Sequence, residues 1–400
     1  MRILFLAPQP FFEERGTPFN VRLMLMALSE LGHTVDILAF PHGADVAIPN
    51  VSIHRVWQTP GLGKAPIGPS KTKIAYDALM MAKATMMAFT NKYDVVHAVE
   101  ESVFIARLLK MFFGIPYVYD MDSHMSDQLK YSGFFKDGPL LSAFGKMETD
   151  ALKKASSVIT VCKYLTDAAA KYVDPSIIHQ IEDIPLDSPP PPQGITVETV
   201  RRDIHIPENA PIAVYTGNLE KYQGIDLLLE SAAEVATVMP EARFVIVGGD
   251  AASIAKYTSA ARVLGIGRNV IFTGPKPVEL MALYYQMADV LLSPRIEGTN
   301  TPLKIYTYLK TGKPVAATDL PVHTQALTRQ IAVLARPEKV EYASAILLLL
   351  KSKELREEIG GRGKEFVERN FNYDVFKRKT AEAYAGFPAP SGQGDVSPPL

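Results

Sequence analysis

Cysteine is almost missing from this chain. A single one, Cys162, stands among 400 residues. No disulfide can form within the chain, so a bridge-stapled scaffold is excluded and a reducing compartment is expected. Cys162 closes an apolar run at 157–161 and reads as a small buried hydrophobe rather than a nucleophile. Neither charge is in excess: 42 Lys and Arg face 43 Asp and Glu, a formal net charge of −1. That balance argues against a dedicated nucleic-acid binder. Long apolar runs are lacking too, and no window reaches the length of a membrane span. The N-terminal run 3–7 is too short for a secretory leader and ends at Pro8, so it reads as a first β-strand. The expected location is the cytoplasm, either free or peripheral on the inner face of a membrane.

What is present is enough apolar sequence, 47% of the chain, for two cores. The first half alternates strand-like and helix-like runs. Strands are expected at 3–7, 34–40, 51–57, 94–99, 116–120 and 157–162. A helix over 18–31 carries apolar residues at Val21, Leu25, Leu28 and Leu31 and meets a stop at Gly32. This order predicts a parallel sheet with helices on both faces. Four consecutive prolines, Pro189 to Pro192, interrupt the pattern and can continue neither a helix nor a central strand. The alternation then restarts, with strands at 212–216, 243–248, 270–273, 289–293, 314–318 and 331–334. The expected division is a first Rossmann-like domain over 1–185, a linker over 186–205 and a second Rossmann-like domain over 206–370. A helix at 371–386 is expected to return to the first domain. A disordered tail is expected at 387–400, rich in Pro, Gly and Ser.

The most informative stretch is Glu297-Gly298-Thr299-Asn300-Thr301-Pro302-Leu303-Lys304. It follows the apolar strand 289–293 and opens a helix over 303–311 that stops at Gly312. Thr301 suits the cap and Pro302 the first turn. A helix start above a strand end attracts phosphate, and Arg295 and Lys304 add positive charge. Glu297 beside such a site needs a neutral partner, for which sugar hydroxyls are well suited. The combination suggests a nucleotide-sugar site.

Other strand ends carry chemistry as well. Gly16-Thr17-Pro18 repeats the glycine, cap and proline grammar after the first strand, against the alternative of an ordinary turn. Gly217, Asn218 and Lys221 follow the strand 212–216; Lys221 either neutralises a diphosphate or is a surface lysine. His97 and Glu100 close the strand 94–99. His97 is equally a hydrogen-bonded, half-buried histidine, and Glu100 equally a helix-start acid. Asp120-Met121-Asp122 has the look of a metal pair, but the reading preferred is a polar wall at Asp120 and a cap at Asp122. Glu13, Glu14 and Arg15 read as a solvated loop face, with contact to an acceptor as the alternative, and Ser123, His124 and Gln128 as added hydrogen-bonding groups for acceptor or donor. Met80, Met81, Met86 and Met87, with Lys64, Lys71, Lys73 and Lys83, raise a basic apolar face on a membrane; a Met-filled core helix with solvated lysines is preferred.

Taken together, these residues resemble a known family. The chain is similar to a family 4 glycosyltransferase of the GT-B fold over nearly its full length. The resemblance rests on Pro294-Arg295-Ile296-Glu297-Gly298, on the run from Pro302 to Val315, on Ile271-Phe272-Thr273-Gly274 and on residues 94–97. It implies an α/β protein with two doubly wound Rossmann-like domains facing a central cleft. It also implies retaining transfer from a UDP-, GDP- or ADP-sugar to a glycan or lipid-linked acceptor, with no cofactor and no required metal. The first domain would hold the acceptor and the second the donor. Glu297, Lys304, Arg295 and His97 are then the catalytic candidates. Gly217, Asn218, Lys221, Gly274, Gly298, Thr299, Asn300, Thr301, Leu303 and Thr307 are the donor-binding ones, and Gly16, Thr17, Glu100 and Asp120 face the acceptor or cleft. The chain departs from the family's pattern in three places. Thr307 stands where a second glutamate is usual, Asn218 and Gln223 fall near a usual Arg and Lys clamp, and Val99 replaces a second histidine. A degenerate member that only binds a sugar nucleotide or a partner is the alternative, and a sugar-nucleotide epimerase is a third reading.

Overall fold

The computed structural model describes residues 1–13, 16–66, 68, 70–126, 129 and 138–387. Glu14, Arg15, Gln128 and the tail beyond Phe387 lie outside them. The chain divides into two compact units, Met1–Glu182 joined by the segment from Tyr373 onward, and Asp183–Asn372.

The first unit contains β1 (Arg2–Pro10), α1 (Gly16–Glu30), β2 (Thr34–Phe40), β3 (Val51–Arg55), α2 (Lys71–Thr90), β4 (Val95–Val99) and α3 (Val103–Phe113). It continues through β5 (Tyr117–Met121), α4 (Pro139–Lys154), β6 (Ser157–Thr160), α5 (Lys163–Ala169) and β7 (Ile178–Gln180). Its parallel sheet has the order β3-β2-β1-β4-β5-β6-β7. Every residue of β4, β5 and β6 is buried. Such strands, covered on both faces, read as continuous rather than alternating apolar runs. The Ser70 hydroxyl accepts from the Lys73 amide and starts α2, while Gly114, left-handed at φ 71°, ends α3.

The second unit contains α6 (Val197–Asp203), β8 (Ile212–Thr216), α7 (Ile225–Val238), β9 (Arg243–Val247), α8 (Ala251–Val263), β10 (Val270–Gly274) and α9 (Val278–Gln286). It goes on through β11 (Val290–Ser293), α10 (Lys304–Lys310), β12 (Val315–Thr318), α11 (Pro321–Thr324), β13 (Val333–Ala335), α12 (Lys339–Lys351) and α13 (Lys353–Asn370). The sheet order is β10-β9-β8-β11-β12-β13, and every pairing between its strands is parallel. One apolar cluster lies on each face.

Two points of the expected organisation need correction. The linker expected over 186–205 is not all linker: α6 lies within it, with Val200 and Ile206 buried in the second unit's core. A capping box between Thr196 and Thr199 starts this helix. The proline run hid it, because a composition break says nothing of where the next packed turn begins. β7 was not foreseen; it is three half-buried residues at a sheet edge, too short for an alternation to show. The final helix, α14 (Tyr373–Tyr384), belongs to the first unit, where Lys377 pairs with Glu30 at 2.7 Å and Lys379 with Glu182 at 2.5 Å. Among the described residues no helix is long and apolar enough to cross a membrane.

Candidate functional site

In an open parallel sheet, the place where the strand order reverses leaves a crevice beyond the strands' carboxyl ends, and ligands collect there. In the second sheet the reversal falls between β8 and β11. Gly217 follows β8; Arg295 and Gly298 follow β11; Lys304 opens α10. The sequence thus brings its two cations to the switch point.

Lys304 is strongly perturbed by its surroundings. Its ammonium lies 4.1 Å from the Tyr215 ring centroid and 3.3 Å from Gln223 Oε1. No carboxylate pairs with it among the described residues. Burial, and then the positive charge of Arg295, lower its pKa to about 7. Burial likewise lowers the pKa of Arg295. The Arg295 guanidinium lies 5.0 Å from the Tyr222 ring centroid, and its Nε donates to the Glu297 carbonyl at 2.8 Å. Two uncompensated cations under a protein surface are costly unless an anion arrives.

Two glycines make room for these cations. A Cβ on Gly217 (φ 142°) would stand 2.9 Å from Lys304 Nζ and 3.0 Å from the Tyr215 hydroxyl. A Cβ on Gly298 (φ 114°) would land on the Arg295 guanidinium. Gly274 ends β10 and its carbonyl accepts from the Gly248 amide at 3.0 Å. Gly248 in turn lies against the Gly217 carbonyl. The glycines following β8 and β9 and the one closing β10 therefore pack as a bare backbone ledge. Gly248 escapes a reading of the sequence because it looks like the end of a strand.

Thr301 does not cap α10. Leu303 occupies the cap position without a side-chain bond, and the Thr301 hydroxyl is buried with no hydrogen-bond partner. A buried hydroxyl without a partner is unusual enough to need an explanation. Thr299 and Asn300 hold the loop: the Thr299 hydroxyl donates to Asn300 Oδ1 at 3.2 Å, and Gln325 donates to the Thr299 carbonyl at 2.8 Å. Glu297 is exposed. Leu303 is half-buried at the entry to the helix. Asn218 is exposed, its carbonyl accepting from the Tyr215 hydroxyl at 2.6 Å. Lys221 is exposed as well, and no ion pair among the described residues ties it to the cluster. Thr307 is also corrected. It is buried, and its hydroxyl accepts from the Leu186 amide at 3.2 Å, so it anchors the chain entering the second unit.

One residue beneath the site was missed. His323 is wholly buried, with Nε2 at 2.8 Å from the Ser293 hydroxyl and Nδ1 at 3.0 Å from the Thr318 carbonyl. The Thr318 hydroxyl donates to the Arg295 carbonyl at 2.5 Å. This arrangement fixes the ring's proton on Nδ1 and ties the ends of β11 and β12 to the backbone of Arg295. Burial, with Arg295 and Lys304 nearby, lowers the His323 pKa to about 3 and keeps the ring neutral. The segment Pro321-Val322-His323-Thr324 carries no spacing signal that could have revealed it.

The first unit has its own reversal, between β1 and β4. Gly16 and Thr17 begin α1 after β1. Glu100 follows β4 in the left-handed region at φ 47°, unusual outside glycine and costly to maintain. Its carboxylate accepts from the Ser123 hydroxyl at 3.1 Å, so it is not a side-chain cap of the helix that follows. Burial, with Glu101 beside it, raises the Glu100 pKa. His97 is corrected from a catalytic candidate to a buried strut. It has no exposure, stacks on Phe5 at 4.0 Å, and sets its two nitrogens against the Tyr384 hydroxyl (2.7 Å) and Asp120 Oδ2 (3.1 Å). It sits mid-strand in a sheet covered on both faces, where alternation offers it no way out. Asp120 is buried and held by His97.

The family model Glycosyl transferases group 1 matches residues 196–366, and the model Glycosyltransferase Family 4 matches residues 20–182. Between them they cover most of the chain, which belongs to this glycosyltransferase family and has the GT-B fold. The D-inositol 3-phosphate glycosyltransferase of Corynebacterium diphtheriae is 28% identical over 196 residues, 47% of this chain and 45% of that protein. The enzyme of the same name from Corynebacterium aurimucosum is 33% identical over 102 residues, 24% of each chain. The matches thus span half or less of the curated relatives' length. Among solved structures, sucrose-phosphate synthase of Thermosynechococcus elongatus has a TM-score of 0.75 at 18% identity, covering 96% of this chain and 98% of that one. HepE of Anabaena, solved in complex with UDP, has a TM-score of 0.71 at 16% identity, covering 96% and 100%.

Proposed function

We propose that this protein is a retaining glycosyltransferase. It takes a sugar from a nucleotide diphosphate sugar and passes it to a glycan or lipid-linked acceptor, in the assembly of surface polysaccharide or lipopolysaccharide. The observation that carries this reading is the Lys304–Arg295 pair at the switch point of the second sheet, given room by Gly217 and Gly298 and without a carboxylate partner among the described residues. A pyrophosphate supplies the two negative charges the pair calls for. The buried Thr301 hydroxyl supplies a neutral donor beside them.

In this reading the bond between the sugar's anomeric carbon and the phosphate oxygen breaks, and the acceptor oxygen bonds that carbon from the same face. The acceptor's proton passes to the departing phosphate oxygen. Lys304, Arg295 and Thr301 stabilise the charge that develops on the leaving group, and preorganised stabilisation of this kind often lowers a barrier more than any other effect. Glu297 holds hydroxyls of the donor sugar. The backbone around Gly217, Gly248 and Gly274 lies along the nucleotide. Glu100 and Asp120 belong to the acceptor side. No metal is required, so a chelator leaves the rate unchanged. UDP is the first donor nucleotide to try, because HepE was solved with UDP-glucose.

Calorimetry with UDP, GDP and ADP tests the donor site. Binding of one of them, lost in Lys304→Ala and in Arg295→Ala, is the expected result; binding of none removes the proposal. Product analysis by NMR reads the anomeric configuration, and an inverted product refutes retention. A binding-only protein is the second reading, favoured by Thr307 and His97 being committed to structural contacts. Slow donor hydrolysis without acceptor separates the two, since a binding-only protein releases no sugar.

A further inference from the structure

Beyond the carboxyl ends of β4 and β5, the first unit gathers more negative charge than it balances. Glu100 and Glu101 follow β4, and Asp77 comes from the second turn of α2. The cation paired with them among the described residues is Lys73, also of α2, whose ammonium stands 2.6 Å from Glu101 Oε1. Two further acids lie close but are committed. Asp120 is held by His97, and Glu148 accepts from the Met125 and Ser126 amides at 2.8 and 3.1 Å. Burial, and then the charge of Glu101, push the Asp77 carboxyl up to about 8 in spite of Lys73. An acid that keeps its proton at neutral pH marks a place short of positive charge.

Two polar atoms in this cluster have nothing to bond. Tyr119 of β5 has no exposure, and its hydroxyl has no hydrogen-bond partner. Its ring shares an apolar cluster with Tyr76 and Met80, so it points to the side of the sheet that α2 covers. The charges its hydroxyl meets there are those of Glu148, Glu100, Glu101 and Asp120. Asp77 Oδ1 is buried without a hydrogen bond as well. Buried polar groups are nearly always paired, and two orphans in one cluster call for a ligand. The left-handed backbone of Glu100 adds a strain of the kind that persists at ligand sites.

Charge and spacing say what the ligand is. A metal ion does not fit: among the described residues no three His, Cys, Asp or Glu side chains are placed to hold one. An organic ammonium does fit. It carries three donors, enough for carboxylates spread around it, and the molecule that bears it can meet the Tyr119 hydroxyl with one of its own. Neutral hydroxyls alone would leave the excess of negative charge unmatched. The cluster is open to solvent, since the Lys73 and Glu101 side chains keep 19% and 20% of their surface exposed.

We infer that Asp77, Glu100 and Glu101 bind a protonated amine carried by the acceptor, which makes an amino sugar the acceptor class. The word acceptor rests on the transfer reading above; the amine site itself does not, and it is tested by binding. The full chain is titrated by calorimetry with glucosamine, N-acetylglucosamine and glucose, with no donor present. Glucosamine is expected to bind about tenfold more tightly than the other two, which share its ring and lack its charge. Glu100→Gln and Asp77→Asn keep the shape and relieve the crowding of like charge. Each is expected to lower glucosamine affinity several-fold while Tm holds or rises. Equal affinity for the three sugars, or no binding of glucosamine, overturns the inference. Variants that lose Tm and keep the native affinity overturn it too and assign these acids to the fold. Adding the nucleotide sugar then separates the two claims. Glucosamine that binds and receives no sugar upholds the amine site and counts against transfer. Transfer to all three sugars alike upholds transfer and removes the amine site.

Discussion

Lys304 is the residue on which pH acts. With its pKa near 7 in the ligand-free protein, the amine is largely neutral above that pH, while a bound diphosphate favours the ammonium. Nucleotide binding must therefore take up a proton, and affinity should fall as pH rises from about 7 towards 9, by at most about tenfold per unit. Calorimetry in two buffers of different ionisation heat measures that uptake, and Lys304→Met should abolish it. The sign for stability is the reverse. The unfolded lysine titrates near 10.4 and holds the extra proton over the same window, so the ligand-free protein should gain stability as pH rises through it. A stability curve flat between pH 7 and 10 would contradict this. His323 behaves differently: its folded pKa of about 3 lies below the unfolded value, so stability should be lost as pH falls from about 6.5 towards 3. His323→Phe leaves the Ser293 and Thr318 groups without their partner and should cost about 2–4 kcal/mol, read by denaturant unfolding. Residues were legible where chemistry and backbone coincide. Arg295, Gly217 and Gly298 stand just beyond strand ends and Lys304 at a helix start, where charge and glycine are informative in themselves. His97 and Thr307 were misread because spacing does not reveal which way a side chain turns. His323 was invisible because its role depends on partners, Ser293 and Thr318, that only the sheet brings near.

The turns beyond the strands separate two kinds of glycine, which substitution can tell apart. Gly224 (φ 74°) lies against the Pro294 carbonyl, and a Cβ there meets rigid backbone. Gly224→Ala should lower Tm markedly, with a stability loss of about 3 kcal/mol or more. Gly217 faces the flexible tip of Lys304 instead. Gly217→Ala should cost only about 1–2 kcal/mol in stability, mostly from its positive φ, yet weaken nucleotide binding at least tenfold by displacing the ammonium. Equal losses of nucleotide binding in both variants, at matched folded fraction, would refute the distinction. Strand positions were read to within a residue or two for most elements, since buried parallel strands announce themselves as apolar runs. The short elements were not: β7 and α6 are too brief to set up a period, and α6 is announced by a Thr-x-x-Thr box rather than by hydrophobicity.

At the scale of the molecule, the two sheets share one strand order apart from β7 at the edge of the first, and each has polar residues beyond its reversal point. That duplication was legible because strand-helix alternation survives the proline run and resumes after it. The second unit begins at Asp183 and the first unit includes α14, where the sequence leads one to expect a first domain ending at 185 and a helix over 371–386 returning to it. The Tyr384 hydroxyl at 2.7 Å from His97 ties that last helix to the middle strand of the first sheet. Tyr384→Phe removes one buried hydrogen bond and should destabilise the first unit by about 1–2 kcal/mol, seen as a shifted unfolding transition.

The placement of α14 also sets a schedule. The ribosome releases residues 1–182 first, yet the helix that seals them is made only after 183–372, which is one uninterrupted stretch. The later half can consequently finish folding before the earlier one, inverting the usual order of vectorial synthesis. Nascent chains stalled just short of Tyr373 should resist protease across the second unit while still being cut within the first.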